Sequence, residues 1–202
     1  MIRPFGEAAL LVELESADNA QSLAASLRAN PAPGMIEAVP GLGSVLVEFD
    51  PLQADEQALS SVLNARVDAL PATKPDGRLH TIPVVYDGPD LHDVAASAGM
   101  SREDVVAAHT EVELRVLFCG FAPGFAYLGD LPERLRVGRL ATPRTATPAG
   151  SVAIAGSMSA IYPAVLPGGW PIIGRAEVDL FDPTAGPPSL LLPGDRVRFE
   201  RA

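Results

Sequence analysis

The sequence predicts an α+β protein in two parts: a small ferredoxin-like α/β domain over residues 1–74, then a β-rich domain over residues 78–202 with the pattern of a barrel or sandwich. Three observations carry this. Helical periodicity occurs twice in the first seventy residues, each time beside strand-like runs. A segment rich in chain breakers, Pro71 to Gly77, separates the two parts and reads as a linker. Beyond Val112 no long helical periodicity survives, and short apolar segments alternate with Gly/Pro turns.

In the first part, Ala9 to Leu14 is strand-like. Ala20, Leu23, Ala24 and Leu27 then recur at the spacing of one helical face, and Asn30-Pro31-Ala32-Pro33-Gly34 ends that helix. Met35 to Val39 and Val45 to Phe49 form a hairpin about Pro40 to Ser44. A second helix starts at Asp55, an N-cap residue, and carries Ala58, Leu59, Val62 and Leu63. The order β-α-β-β-α is that of a split ferredoxin-like unit, to be completed by a short final strand.

In the second part, His80 to Tyr86 opens a strand. Asp90 is placed to cap a short helix bearing Leu91, Val94, Ala95 and Ala98, which Gly99 stops. Ser101 and Asp104 form a capping box for the next helix. Val112 to Phe118 returns to strand. Ser151 to Ala155, Pro171 to Ile173, Leu190 to Leu192 and Val197 to Phe199 read as further short strands.

The formal net charge of −10 argues against general binding to nucleic acid or an anionic membrane, since both need a basic surface. No apolar run approaches the roughly 18 residues of a membrane span, and the first residues lack a signal-peptide core, so a cytoplasmic protein is expected. The single Cys119 sits in an apolar run and reads as a buried, inert thiol. His80, His92 and His109 have no metal-ligand spacing, and no metal site is predicted. There is no P-loop, no dinucleotide fingerprint and no G-x-S-x-G nucleophile elbow.

Chemistry therefore points to the segment from Cys119 to Arg175, which holds nine glycines and seven prolines. Its later part, from Arg134 to Ala176, contains no acid but five arginines: Arg134, Arg136, Arg139, Arg144 and Arg175. Some of these are expected to pair with acids distant in sequence. Small residues such as Gly124 let backbone N–H groups approach a ligand, and the neighbouring aromatics supply a rigid wall. Arg144 and Arg175, beside the Gly-rich backbone at Gly150 and Ser151, suit a carboxylate or phosphate. His109 reads either as a helix-terminal structural group or as a proton carrier. Tyr127 reads either as a core aromatic or as a second proton carrier.

The run Gly120-Phe-Ala-Pro-Gly-Phe-Ala-Tyr-Leu-Gly129, with Pro143-Arg144, Pro148 to Gly156, Ile161-Tyr-Pro163, Pro167-Gly-Gly-Trp170, Ile173-Gly-Arg175, Leu180-Phe-Asp-Pro183 and Pro193 to Phe199, resembles one family throughout. It is the family of the 5-oxoprolinase B subunit, also described as allophanate hydrolase subunit 1 or the KipI-type carboxyltransferase-like domain. The resemblance begins at His80 to Asp87 in the second part and extends over essentially the whole chain. It implies that the β-rich domain is cyclophilin-like. It implies assembly with a homologous larger C subunit (KipA-type) and with an A subunit, which together open 5-oxo-L-proline to L-glutamate with ATP. ATP is implied for the complex, and the substrate is a small anionic or amide molecule. Relatives imply two alternatives, half of a biotin-dependent carboxyltransferase acting on urea or a related amide, and a regulatory inhibitor of a histidine kinase. Within this frame Arg144 and Arg175 bind the anionic group, with Gly124, Gly150 and Ser151 lining the cleft and His109 or Tyr127 moving the proton. One departure stands out: where the family has Gly-x-Gln-Thr-Gly-Ile-Tyr-Pro, this chain has Met158 for the glutamine and Ala160 for the glycine.

Overall fold

The computed structural model describes residues 1–71 and 77–202, so the centre of the expected linker lies outside the described residues. The chain divides into two compact units, Met1–Asp76 and Gly77–Ala202.

The first unit is an antiparallel sheet in the order β1-β2-β4-β3, with β1 at Ile2–Pro4, β2 at Ala9–Glu13, β3 at Met35–Pro40 and β4 at Ser44–Phe49. Period-two alternation places Leu10 and Val12 opposite Val47 and Val45 on the buried face. Helix α1 (Ala17–Ala29) covers them with Leu23, Ala24 and Leu27, and α2 (Glu56–Asp68) adds Leu59 and Leu63. Both helices start on side-chain caps. Ser16 Oγ accepts from Asn19 N–H at 3.2 Å, and Asp55 accepts from Gln57 N–H at 2.9 Å. Arg66 of α2 donates to the Ser26 and Asn30 carbonyls at 2.8 and 2.6 Å, tying α2 to the end of α1. The fourth strand differs from expectation. β1, from the N-terminus, pairs antiparallel with β2 and occupies the place assigned to a final strand.

The second unit holds a seven-stranded sheet in the order β12-β9-β10-β7-β6-β13-β5. Its strands are β5 (Leu79–Val84), β6 (Glu113–Cys119), β7 (Ala126–Gly129), β9 (Ser151–Ala155), β10 (Met158–Ile161), β12 (Ile172–Arg175) and β13 (Arg196–Arg201). Val85 and Arg175 exchange two backbone hydrogen bonds of 2.9 Å, joining the β5 edge to the β12 edge. A barrel-like sheet results, with its edge strands tied together. A separate ribbon pairs β8 (Arg144–Thr147) with β11 (Leu166–Gly168). Helices α3 (Leu91–Ala98) and α4 (Arg102–Thr110) supply Leu91, Val94, Ala95, Val105 and Val106 to the main core. Gly99 is the left-handed cap of α3, and the Ser101/Asp104 capping box opens α4.

After Ser151, β9 is apolar at every position because it is buried on both faces. Val152 and Ile154, with Ile161 of β10, enter the main core. Ala153, Ala155 and Ala160 enter a second, aromatic layer with Phe125, Tyr162, Trp170 and Ile172. The apolar Leu190–Leu192 forms no strand. Leu191 plugs the main core instead, and the following Pro193-Gly194 turns the chain into β13. Cys119 is half-buried rather than buried, with its Sγ 3.5 Å from the Leu191 carbonyl.

Candidate functional site

The residues singled out in the sequence fall into three places in the second unit. The first is a cleft of about 470 Å³ lined by Asp87, Gly88, Arg144, Ser151, Gly174 and Arg175 among others. Gly150, at φ +78°, turns the chain into β9 beside it, and a side chain there would strike the Ala176 carbonyl. Its N–H donates to Tyr162 O at 2.8 Å, and its carbonyl accepts from Ala176 N–H at 2.9 Å. Ser151 is buried in the cleft wall.

The arginines of this cleft are not free anion receptors. Arg175 donates to Asp87 at 3.0 Å and to Glu177 at 3.3 Å, and its side chain is half-exposed. Those two acids, the hydrogen bond to Asp87 above all, hold its guanidinium above the usual range. Arg144 donates through Nη2 to Asp90 at 2.7 Å, while its Nη1 is buried with no hydrogen-bond partner among the described residues. Asp90 also corrects a sequence expectation. It stands at the N-cap position of α3, yet its side chain does not cap the helix. It accepts instead from Ile172 N–H at 2.7 Å and from Arg144, and its own N–H donates to Ile172 O at 3.0 Å. Asp90 thus fastens the Asp87–Asp90 segment to β12 and orients Arg144 in one step.

The second place is an aromatic pocket of about 140 Å³, lined by Phe121, Phe125, Tyr127, Tyr162 and Trp170, with Arg139 and the Pro167–Gly169 backbone. Phe125 is its hub, meeting Phe121, Tyr127, Tyr162 and Trp170 edge-on at centroid distances of 5.2, 4.9, 5.3 and 6.4 Å. Gly168 is required here, because a Cβ at that position would strike the Tyr162 hydroxyl. Burial pushes the Tyr127 and Tyr162 hydroxyls up from the usual range, against the opposing pull of Arg139. Both phenols are therefore protonated donors at neutral pH. Tyr127 itself is only partly buried and stacks on Phe118 at 4.2 Å. Gly124 lines neither cavity. It is buried in the turn before Phe125, packed on Leu180 and Phe181.

The two cavities share the β8–β11 ribbon as a wall, for Arg144 of the cleft is the Cα partner of Gly168 of the pocket. The substituted segment lies against the aromatic layer: Ala160 is part of it, and Met158 packs on it half-buried. Sequence reasoning found Arg144, Ser151 and Arg175 together, but missed Arg139, Asp87 and Asp90 as members. Nothing local marks Asp87 and Asp90, whose partners lie dozens of residues away.

The third place holds His109, fully buried. Its Nδ1 lies 2.8 Å from the Tyr86 hydroxyl and its Nε2 lies 3.1 Å from Ser159 Oγ, while the ring stacks on Phe199 at 4.6 Å. Ser159 Oγ is also 3.2 Å from Ala153 O, to which it donates. With that proton committed, Ser159 accepts from His109 Nε2–H, and Nδ1 accepts from Tyr86; this is the neutral tautomer. Burial pushes the imidazole down to about 3, in agreement with a neutral ring. Among the described residues no group of three or more His, Cys, Asp or Glu could hold a metal ion, and no helix is long and apolar enough to cross a membrane.

Known proteins resemble this chain in sequence and fold. The chain is 42% identical over 203 residues to the B subunit of 5-oxoprolinase from Escherichia coli O157:H7, covering 96% of this chain and 92% of that protein. It is 36% identical to the B subunit of 5-oxoprolinase from Bacillus subtilis (strain 168), covering 99% and 92%. Among solved structures, TTHA0988 superposes with a TM-score of 0.85 at 38% identity, over all of this chain but only 40% of its own. PH0987 from Pyrococcus horikoshii, 40% identical, gives a TM-score of 0.60 over 100% and 97% of the two chains. The urea carboxylase of Kluyveromyces lactis, at 22% identity and a TM-score of 0.76, shares the fold. Residues 1–191 match the family described as carboxyltransferase domain, subdomain C and D, and the chain belongs to that family.

Proposed function

We propose that this chain is the B subunit of an ATP-dependent 5-oxoprolinase, working with a C and an A subunit to open 5-oxo-L-proline to L-glutamate. The observation that carries the reading is that three relatives, 36–42% identical over 82–99% of the chain, are all named as the B subunit of 5-oxoprolinase. The size of TTHA0988, of which this chain spans 40%, supports work in company with further domains. The likeness to urea carboxylase is one of fold and carries no reading of urea as substrate.

The reaction adds water across the lactam C–N bond: oxygen joins the carbonyl carbon, and the ring nitrogen leaves as the amino group. Negative charge gathers on the carbonyl oxygen on the way, and a preorganised donor lowers that barrier most. Arg144 is suited to that role. Asp90 fixes its guanidinium in the cleft lining, and its buried Nη1–H has no hydrogen-bond acceptor among the described residues. Arg175, held by two acids, shapes the cleft rim together with Gly150 and Ser151. His109, neutral and with both nitrogens occupied, acts as a positioning residue for β10 rather than as the proton carrier. Tyr127, partly exposed and protonated, is the better placed of the two candidates. The chain has no P-loop and its cleft arginines are bound to acids, which supports placing ATP on other members of the complex. ATP is assigned to the other members of the complex, and no step here passes through it.

The test is co-expression with the C and A subunits, followed by an assay of ATP-dependent glutamate formation from 5-oxo-L-proline. Wild-type complex forms glutamate, and Arg144→Met loses it while still assembling. A complex that assembles and leaves 5-oxoproline untouched refutes the assignment.

A further inference from the structure

We propose that the aromatic pocket seats the small ring of the substrate and that Arg139 binds its carboxylate, so that this chain selects a small cyclic monocarboxylate. The inference rests on the oxoprolinase reading above and gives it a substrate subsite outside the Arg144 cleft.

Charge comes first. Of the five arginines in the acid-free window, Arg134 pairs with Glu111, Arg144 with Asp90, and Arg175 with Asp87 and Glu177. Arg136 turns back to the Leu131 carbonyl. Arg139 alone has no ion-pair or hydrogen-bond partner among the described residues, and it lies on the pocket wall. Its neighbour Leu140 is anchored by donating to Gly169 O at 2.8 Å, which holds this stretch against the pocket. An uncompensated cation beside buried aromatic surface is what a carboxylate on a small ring requires, because the ring desolvates the ion pair and strengthens it.

Shape and strain agree. Phe125, Tyr162 and Trp170 are buried and lock one another edge-on, which leaves a rigid slot. At about 140 Å³ the slot suits a single small ring and falls well short of the roughly 300 Å³ at which cofactor and drug sites begin. At its rim Phe121 is 58% exposed and sits at φ +72°, a conformation that bulky side chains avoid. A strained, solvent-facing aromatic held over a slot is the mark of a binding edge rather than of packing. The two phenols, Tyr127 and Tyr162, give the ring amide donors to meet. Tyr162 stands in the field of both Arg139 and Arg144, so a ring seated here abuts the ribbon that carries Arg144.

Trp170 is the only tryptophan in the chain and lines the slot, so its emission reports occupancy directly. Titration of the full chain with 5-oxo-L-proline should change that emission saturably, whereas 2-pyrrolidinone, which has the ring without the carboxylate, should not at equal concentration. Arg139→Met should weaken the response about tenfold or more, the loss expected for one charge-assisted contact, and Arg139→Lys should restore part of it. Arg134→Met, whose arginine is paired with Glu111, should change nothing. In the assembled complex Arg139→Met should raise KM for 5-oxoproline with kcat little altered. No saturable response, an equal response to 2-pyrrolidinone, or a response indifferent to Arg139→Met overturns the proposal. An active complex whose KM ignores Arg139→Met overturns the pocket and leaves the oxoprolinase reading standing. A complex silent on 5-oxoproline, with an Arg139-dependent Trp170 response, keeps the carboxylate site and removes the reaction.

Discussion

His109 makes the stability of the second unit depend on pH in one direction. In the folded chain the imidazole is fully buried, faces only Tyr86, Ser159 and Phe199, and is pushed down to about 3 from an ordinary value of 6.5. The unfolded chain therefore binds a proton over the window between those two values that the folded chain does not. Because the folded value is depressed, stability is full above about pH 7 and falls as pH drops through 6.5, flattening only near 3. Between about pH 7.5 and pH 5 this single group removes about 2 kcal/mol, since each unit below the unfolded value costs about 1.4 kcal/mol.

Urea unfolding followed by Trp170 emission measures this, because Trp170 lies in the same unit. With a slope of about 2 kcal/mol per molar, the midpoint should fall by about 1 M between those two pH values. His109→Gln keeps an amide that can meet Tyr86 and Ser159 but cannot titrate. It should be less stable at neutral pH, through loss of the stack on Phe199, and its midpoint should lose most of that pH dependence. His92→Gln, which changes an exposed histidine, should leave the dependence intact. A wild-type midpoint that does not move, or a His109→Gln midpoint that moves as far as wild type, refutes the reasoning.

Other expectations follow from the same contacts. Asp90→Ala strands the Arg144 guanidinium and the Ile172 N–H together and should cost about 3 kcal/mol or more, while adding Arg144→Met should recover part of it; a loss below about 1 kcal/mol in urea unfolding would show that Asp90 is not the clamp. Gly168→Ala forces the Tyr162 hydroxyl aside in a packed layer, so a destabilisation of about 1–3 kcal/mol should come with a shifted Trp170 emission maximum, and unchanged emission would contradict the geometry. Arg175→Met breaks only solvent-exposed pairs, and its urea midpoint should stay close to that of wild type.

Much of the fold was legible because its signals are local. The face formed by Leu23, Ala24 and Leu27, the Asp55 cap, the Gly99 stop and the Ser101/Asp104 box each act within a few residues, and each appears where the sequence placed it. Elements fixed by distant partners were not legible. β1 is three residues long and exists because β2 offers it an edge. β7, β8, β10 and β11 are three or four residues long, lie among Gly/Pro turns, and are made strands by their neighbours in the sheet and ribbon. Leu190–Leu192 shows the converse, a strand-like run that joins no sheet and spends its central leucine in the core.

The site was legible to the same extent and failed for the same reason. An acid-free window with five arginines suggested a cationic surface, and Arg144, Ser151 and Arg175 do line one cleft. Charge in a folded chain is set by neighbours in space, however. β5 and β12 meet edge to edge through Val85 and Arg175, which brings Asp87 and Asp90 from the far side of two helices onto the very arginines chosen for their lack of acids. Arg139 has no ion-pair partner among the described residues; it sits on a segment with no regular structure and lines the aromatic pocket. Ala160 belongs to the aromatic layer and Met158 packs on it, while neither lines the Arg144 cleft or the aromatic pocket, so the departure from the family pattern falls on the packing behind the pocket. Replacing a polar amide by a thioether there removes a hydrogen-bonding group from that packing and fits Met158 to its half-buried, apolar surroundings.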